Sequence, residues 1–400
     1  MGYLFVTIKT IIFIFIYKLF SINPNKIRIR IIFGKIKYIS MKRIIMHVDL
    51  DSFYASLEEN RNDKIRGKPV VICVYSGRTE DSGAVSTSNY KARELGIKAG
   101  MPIVIAKRIA KGKDVAFLPV DMAYYREVSD RIIDLMEDES DIMEQVSIDE
   151  AYLDVTERTQ EDINKAIEIA NTIKQKITSQ EGLTASVGIS SNKFVAKMAS
   201  DFHKPNGLTV VTEKEIIPFL ENLNVSKLHG IGGKTTKSLN DLGIETASDL
   251  SRYDLIELEE VFGKNKAKLL HDKSLGIDET PVEPREKKQL SRIGTLKEDT
   301  NNKDIVFDKI LELSNDMQQR IIKNNVLFRT VSLITIDTEL KTQTKSETIA
   351  QTKDIQKVVS ISKHLLEKYF EESPDKKLRR VGIRISNLEF SKSQKTLDEF

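Results

Sequence analysis

Asp49, Asp149 and Glu150 stand where ionised side chains are expensive. Asp49 ends the apolar run Arg43–Asp49 (RIIMHVD), and Ser147-Ile148-Asp149-Glu150 fills a tight turn between two apolar stretches. A carboxylate at the end of a buried strand is costly unless positive charge meets it. Two hard Mg²⁺ ions would meet it, because they take carboxylate and phosphate oxygens, and a two-metal clamp activates an attacking hydroxyl and stabilises a leaving pyrophosphate. The plainer reading is a hydrophilic hairpin turn, where Asp is common. Phosphate chemistry would also need cations. Ser76-Gly77-Arg78 offers one, Tyr90 and Arg93 lie three apart on one helix face, and Lys204 sits in His203-Lys204-Pro205-Asn206-Gly207. Taken singly, each is also an ordinary surface residue. In Leu228-His229-Gly230-Ile231-Gly232-Gly233-Lys234, the Gly230 and Gly232 turn and the helix start at Lys234 can hold a nucleic-acid phosphate. A plain joint between two helices would use glycine there as well.

The elements that position these groups are readable from hydrophobic period. Strands are expected at Arg43–Asp49, Lys68–Tyr75, Ile142–Ser147, Ala151–Val155 and Thr184–Gly188. Helices are expected at Phe53–Glu59, Asn89–Leu95, Pro102–Ala110, Met122–Met136, Ile163–Ile177 and from Asn192. Strands and helices alternate, but Ile142–Asp154 reads as a hairpin, so the class is α+β with antiparallel pairing and not a fully parallel sheet. Gly276–Gln289 (GIDETPVEPREKKQ) has no periodicity and reads as a linker. Beyond it the order is β-α-β-β-α-β: Arg292–Lys297, a helix near Ile305–Ile322, Arg329–Asp337, Glu347–Ala350, a helix Ile355–Tyr369, and Arg379–Ser386.

Composition bounds the rest. The 400 residues are 40% hydrophobic and 30% charged, with 19 Gly and 9 Pro, which excludes disordered, collagen-like and low-complexity chains. A lone cysteine, Cys73, excludes a disulfide scaffold and a Cys-built metal site, and the histidines show no H-E-x-x-H spacing. The formal charge of +3 is set by residues 1–40, which hold seven Lys/Arg and no Asp/Glu. Without them the net is −4, split into −9 over residues 41–284 and +5 over 285–400. A basic module on an acidic body suits salt-dependent binding to a phosphate backbone. The run Ile11–Tyr17 (IIFIFIY) is the most apolar stretch, yet Tyr3–Phe20 is short of a membrane span and carries Lys9. The expectation is a start at Met41, with 1–40 extraneous; a weak anchor or a targeting segment is the alternative.

Five strings occur in order: HVDLDSFYASLEE, YSGRTEDSGAVSTSNYKAREL, SIDEAYLDVT, SVGISSNKFVAKMASDFHKPNG and GIGGKTTKSL. Together they closely resemble the Y-family translesion DNA polymerases, archaeal DNA polymerase IV type, from about Met41 to Phe400. The resemblance implies a right-hand α+β architecture: palm 41–50 and 119–207, small fingers 51–118, helical thumb with helix-hairpin-helix turns 208–275, linker 276–289, little finger 290–390 and clamp-binding tail 391–400. It implies that Asp49, Asp149 and Glu150 hold two Mg²⁺ ions, Mn²⁺ being able to replace them, with the Leu50 carbonyl near the second. Tyr54 would be the steric gate against a 2′-OH, and Phe53 its support. Thr87, Tyr90, Arg93 and Lys204 would contact the dNTP triphosphate. Asp51 faces the core and is not taken as a ligand. Gly230, Gly232 and Lys234 would hold DNA, as would Arg292, Arg380 and Arg384. Arg380 and Arg384 are placed on one face with Leu378 and Gly382, while Arg379 points the other way.

The implied activity is template-directed addition of dNMP to a primer 3′-OH at low fidelity, bypassing damaged bases without a proofreading exonuclease. Implied partners are primer-template DNA, dNTP and a sliding clamp, docked by Gln394, Leu397 and Phe400 with one aromatic where two are usual. A cytoplasmic monomer without a membrane partner is expected for 41–400. A non-catalytic DNA-binding relative and a palm-fold cyclase are the other readings. The intact carboxylates speak against the first, and the glycine turn, basic module and tail against the second.

Overall fold

The computed structural model describes residues 43–390 in full and the backbone of 27–32 and 35–40. The apolar run Ile11–Tyr17, Met41 and the tail residues Gln394, Leu397 and Phe400 lie outside the described residues. Ile27–Ile32 and Lys35–Ser40 pair as antiparallel strands. Two compact units follow: residues up to Asn60 with Asp121–Pro284, and Arg61–Val120 with residues from Arg285 on.

The first unit is built on a five-stranded sheet. Ile45–Leu50 lies at its centre, antiparallel to Glu150–Asp154 on one side and to Ala185–Ser190 on the other. Ile142–Gln145 and Leu208–Val210 close the two edges, the latter in parallel. Ile45, Met46 and Val48 are fully buried, as a central strand covered on both faces requires. The helix Lys193–Phe202, N-capped by Asn192, presses so closely on the sheet that a Cβ at Gly188 would lie 2.0 Å from the Ala196 carbonyl oxygen. Gly188 is what allows that approach. Met122–Asp138 and Ile163–Glu181 are the long amphipathic helices, each opened by an aspartate cap. Four short helices between Gly233 and Ser274 enclose Leu228, Ile231, Leu239, Leu250, Leu258 and Leu270.

Residues 276–284 are not the plain linker expected. Asn192 donates to the Gly276 carbonyl at 2.9 Å, Arg43 reaches the Asp278 and Thr280 carbonyls at 2.9 and 3.0 Å, and Asp278 accepts from the Phe194 N–H at 3.1 Å. Val282 is buried against Ile45 and Tyr152. The segment shows no period because it is held residue by residue and forms no regular element.

The second unit holds two sheets. Val70–Tyr75 runs between Gly83–Ser88 and Ala116–Pro119. Gly83–Ser88 is a full strand. Its Gly83 permits a turn at φ +143° beside the Val74 carbonyl. The larger sheet takes the order Gln289–Thr300, Leu378–Ser386, Val326–Asp337, Thr342–Thr352, all antiparallel. Lys303–Lys323 and Ile355–Glu372 pack against one face of it, burying Val331, Leu333, Val381, Ile383 and Ile385.

This sheet corrects two placements. Ile336 pairs with Arg380 but Asp337 pairs with Leu378, so a bulge at Arg379 shifts the alternation. Leu378 therefore joins the buried Val381 face, and Arg380 and Arg384 do not share a face with it. Arg292 pairs in register with Ile383 on the helix-covered face, and its guanidinium meets Asp316. It is not grouped with Arg380 and Arg384. Those two lie on the opposite face with Ser291, Thr295 and Ser332.

Candidate active site

The antiparallel register assembles the carboxylates. Asp49 pairs directly with Glu150, and the Leu50 N–H donates to the Asp149 carbonyl at 2.9 Å. His47, two residues before Asp49, points to the same face. Ligand atoms of His47, Asp49 and Glu150 all lie within 4.8 Å of one another. Asp149 is outside that trio, its carboxylate turned to accept from the Ser147 hydroxyl. Two lysines face the acids. Lys197 Nζ donates to Asp49 Oδ2 and Glu150 Oε2, each at 2.8 Å. Lys204 Nζ is 2.5 Å from Asp49 Oδ1 and 2.8 Å from Asp201 Oδ1.

Electrostatics separates the acids. The contact with His47, aided by Lys197, holds Glu150 well below the ordinary carboxylate range. Burial pushes Asp149 up, and the neighbouring Asp49 and Glu150 push the same way, while Ser147 opposes them. Burial would strip Lys197 of its proton, but Asp49 and Asp201 outweigh it and hold the ammonium charged. His47 is fully buried and its pKa is lowered by that burial, so the ring is neutral. Ser200 has one proton to give. Donated to the Lys197 carbonyl at 2.8 Å it leaves His47 Nδ1 as donor and Nε2 bare; donated to Nδ1 it turns Nε2–H onto Glu150, 3.3 Å away. The hard carboxylate oxygens of Asp49 and Glu150, gathered this closely with Asp149 on the adjoining turn, fit a Mg²⁺-class cation.

Asp51 has a different task. It is 4% exposed and accepts from Thr184 Oγ1, Ser186 Oγ and the Asn206 N–H, each at 2.8 Å. It thus pins the segment that carries Lys204. Tyr54 follows on the helix Phe53–Arg61 and stacks on Tyr125, centroids 4.4 Å apart and planes 19° apart. Tyr125 in turn donates to Glu58 Oε1 at 2.6 Å. Phe53, almost fully buried, tilts against Tyr54 at 5.7 Å. Burial, then the charge of Asp149, raises the Tyr54 phenol and keeps it protonated. The sequence reading missed Tyr125, His47 and Lys197. An aromatic pair in Tyr124-Tyr125 and two further cations, Lys193 and Lys197, in the SVGISSNKFVAKMASDFHKPNG string were the available signals.

The second unit is distinct. Thr87 lies on the Gly83–Ser88 strand opposite Ile72. Tyr90 opens the helix Tyr90–Glu94, and the Arg93 guanidinium stands 5.0 Å over its ring. Arg93 Nε donates to the Ser88 carbonyl at 2.8 Å. Asn89 fixes this corner by accepting from the Ala92 and Val70 N–H groups. Arg78 is engaged elsewhere. Its Nη2 is 2.6 Å from Asp299, which also pairs with Arg379 at 2.8 Å. In the first unit Gly230 takes φ +84°, Gly232 precedes the helix Gly233–Asp241, and Lys234 lies in its first turn.

A carboxylate cluster on the central strands of an antiparallel α+β sheet, with a glycine helix-hairpin turn in the same unit, defines a palm-type protein. The chain belongs to the impB/mucB/samB family, the Y-family polymerases. The family model matches residues 48–201, its helix-hairpin-helix motif 213–244, and its C-terminal domain 287–398. A protein named DNA polymerase IV 1 from Methanosarcina mazei is 40% identical over 367 residues, covering 90% of this chain and all of its own. DNA polymerase IV of Nitrosopumilus maritimus is 39% identical over 361 residues, covering 90% and 99%. Among solved structures, a Y-family DNA polymerase chimera of Dbh and Dpo4 aligns with TM-score 0.81 at 35% identity, over 87% of this chain and 99% of that one. An insertion ternary complex of Dbh DNA polymerase aligns at 0.66 with the same identity and coverage. The expected α+β class and its β-rich C-terminal domain hold.

Proposed function

We propose that the chain is a DNA-directed DNA polymerase that adds dNMP from dNTP to a primer 3′-OH on damaged as well as intact templates. The observation that carries this reading is the register that sets Asp49 against Glu150 beside Asp149. Family membership across both units supports it. All three carboxylates are present, as a catalytic member of the family requires and a binding-only relative does not.

Asp49, Asp149 and Glu150 are the residues that would hold two Mg²⁺ ions, with the Leu50 carbonyl beside them. When bound, such ions supply the positive charge that lowers the pKa of the primer hydroxyl and neutralises the leaving pyrophosphate. Glu150, held ionised, is ready as a ligand without first losing a proton. Tyr54, braced by Tyr125 and Phe53, presents a flat wall to the sugar, and a ribose 2′-OH would collide with it. Lys204, Thr87, Tyr90 and Arg93 are assigned to the triphosphate. Lys204 starts from an ion pair with Asp49, so nucleotide phosphate takes over a cation already aimed at the cluster. Gly230, Gly232 and Lys234 present backbone N–H groups and a cation to a DNA phosphate. Arg380 and Arg384, on the helix-free face of the larger sheet, are assigned to the DNA backbone, and Arg292 is withdrawn from that set. A monomer in the cytoplasm, tied to a sliding clamp through Gln394, Leu397 and Phe400, completes the reading. Among the described residues no helix is long and apolar enough to cross a membrane.

The test is primer extension by the full chain on undamaged and abasic templates, beside Asp149→Ala. Wild-type extension that the substitution abolishes while DNA binding persists is expected. An inert wild-type chain would sink the enzyme reading. Loss of DNA binding by Asp149→Ala would mean that the carboxylate is structural.

A further inference from the structure

Lys197 stands inside the catalytic cluster without a part in the reaction above. It is 8% exposed, and its helix is fixed by the Asn192 cap and by the close approach at Gly188. Its ammonium is directed at carboxylates and not at solvent. It bridges Asp49 Oδ2 and Glu150 Oε2 at 2.8 Å each, and those residues supply two of the three ligand atoms gathered within 4.8 Å. An ammonium and a divalent ion therefore compete for the same carboxylate lone pairs. Asp201, one helical turn on, lies 3.6 Å from the same Nζ and is half-exposed, so a small swing of the lysine stem carries the charge there.

We propose that Lys197 is a resident counter-ion. In the ion-free enzyme its ammonium holds Asp49 and Glu150 together against their mutual repulsion, and an arriving divalent ion displaces it toward Asp201. The inference rests on the reading of Asp49 and Glu150 as ion ligands. Lys197 is on this account a positioning residue: it touches no substrate, and it sets how tightly the empty site takes an ion and how stable that site is when empty.

The experiment uses the full chain without DNA or nucleotide and Mn²⁺ as probe, followed by the electron paramagnetic resonance of the free ion. Lys197→Met is expected to bind Mn²⁺ at least tenfold more tightly than wild type, and to melt lower in EDTA but regain the loss when Mn²⁺ is added. Asp49→Ala is expected to abolish Mn²⁺ binding. If Asp49→Ala binds Mn²⁺ like wild type, the ion-site reading itself fails. If Asp49→Ala loses binding while Lys197→Met binds no more tightly than wild type, the ligands stand and the counter-ion proposal falls. Wild-type protein gives a second readout should Lys197→Met not fold. Acetylation of Lys197 by acetic anhydride, read by peptide mass spectrometry, is expected to run several-fold faster with Mn²⁺ than with EDTA. Equal rates overturn the displacement.

Discussion

Replacing Asp51 separates a structural carboxylate from a ligand two residues away. Asp51 accepts three hydrogen bonds of 2.8 Å while almost fully buried, from Thr184, Ser186 and the Asn206 N–H. In Asp51→Ala three donors lose a charged acceptor. The two hydroxyls can rotate toward other partners, but the Asn206 N–H cannot. At about 1–3 kcal/mol for each buried group left unsatisfied, less the carboxylate's own desolvation cost, the expected loss is about 3–5 kcal/mol. For a unit of this size that lowers Tm by about 8–15 °C. Asp51→Asn keeps an oxygen for two of the donors and should cost only about 1–2 kcal/mol. Both are read by thermal and urea unfolding in EDTA, so that no ion contributes, with Mn²⁺ binding measured alongside. The expected pattern is a graded stability loss with Mn²⁺ affinity retained in Asp51→Asn. Asp51→Ala within about 1 kcal/mol of wild type, or Asp51→Asn that has lost Mn²⁺ binding, would refute the structural role.

Three further outcomes are expected. Tyr54→Ala should raise ribonucleotide incorporation in primer extension, and unchanged sugar discrimination would remove Tyr54 from the gate. Tyr125→Phe deletes the bond to buried Glu58 and should cost about 1.5–3 kcal/mol in urea unfolding, with a smaller rise in ribonucleotide use because the stacked ring is kept. Asp299 is pulled from 3.8 to about 2, first by Arg379 and then by Arg78. Its folded pKa lies below its unfolded one, so its stabilisation is present above about pH 4 and is lost as pH falls toward 2. The difference in unfolding free energy between wild type and Asp299→Asn should shrink over that window, and a constant difference would mean that the pair contributes no such linkage.

Most of the framework was legible because it is local. The central strand and its flanking hairpin announce themselves as apolar runs ended by carboxylates, and the long helices by their period. Charge bookkeeping sets an acidic stretch, 41–284, apart from a basic one, 285–400. Features that depend on close approach or register were not legible. Lys197 looks like any helical lysine until the helix is laid on the sheet with Gly188 beneath it. Arg78 reads as a phosphate contact from its charge, yet its partner Asp299 is more than two hundred residues away. The bulge at Arg379 leaves no sequence mark, so alternation alone put Leu378 on the wrong face, and Arg292 could be judged only once its cross-strand neighbour Ile383 was known.

The docking of residues 276–284 changes the polymer arithmetic of the chain. A fourteen-residue linker could stretch about 46–50 Å, whereas the stretch from 285 to 288 spans at most about 13–14 Å. The stretch left free to extend is less than a third of the one the sequence suggested, and the seats of Val282 and Asp278 decide where it begins.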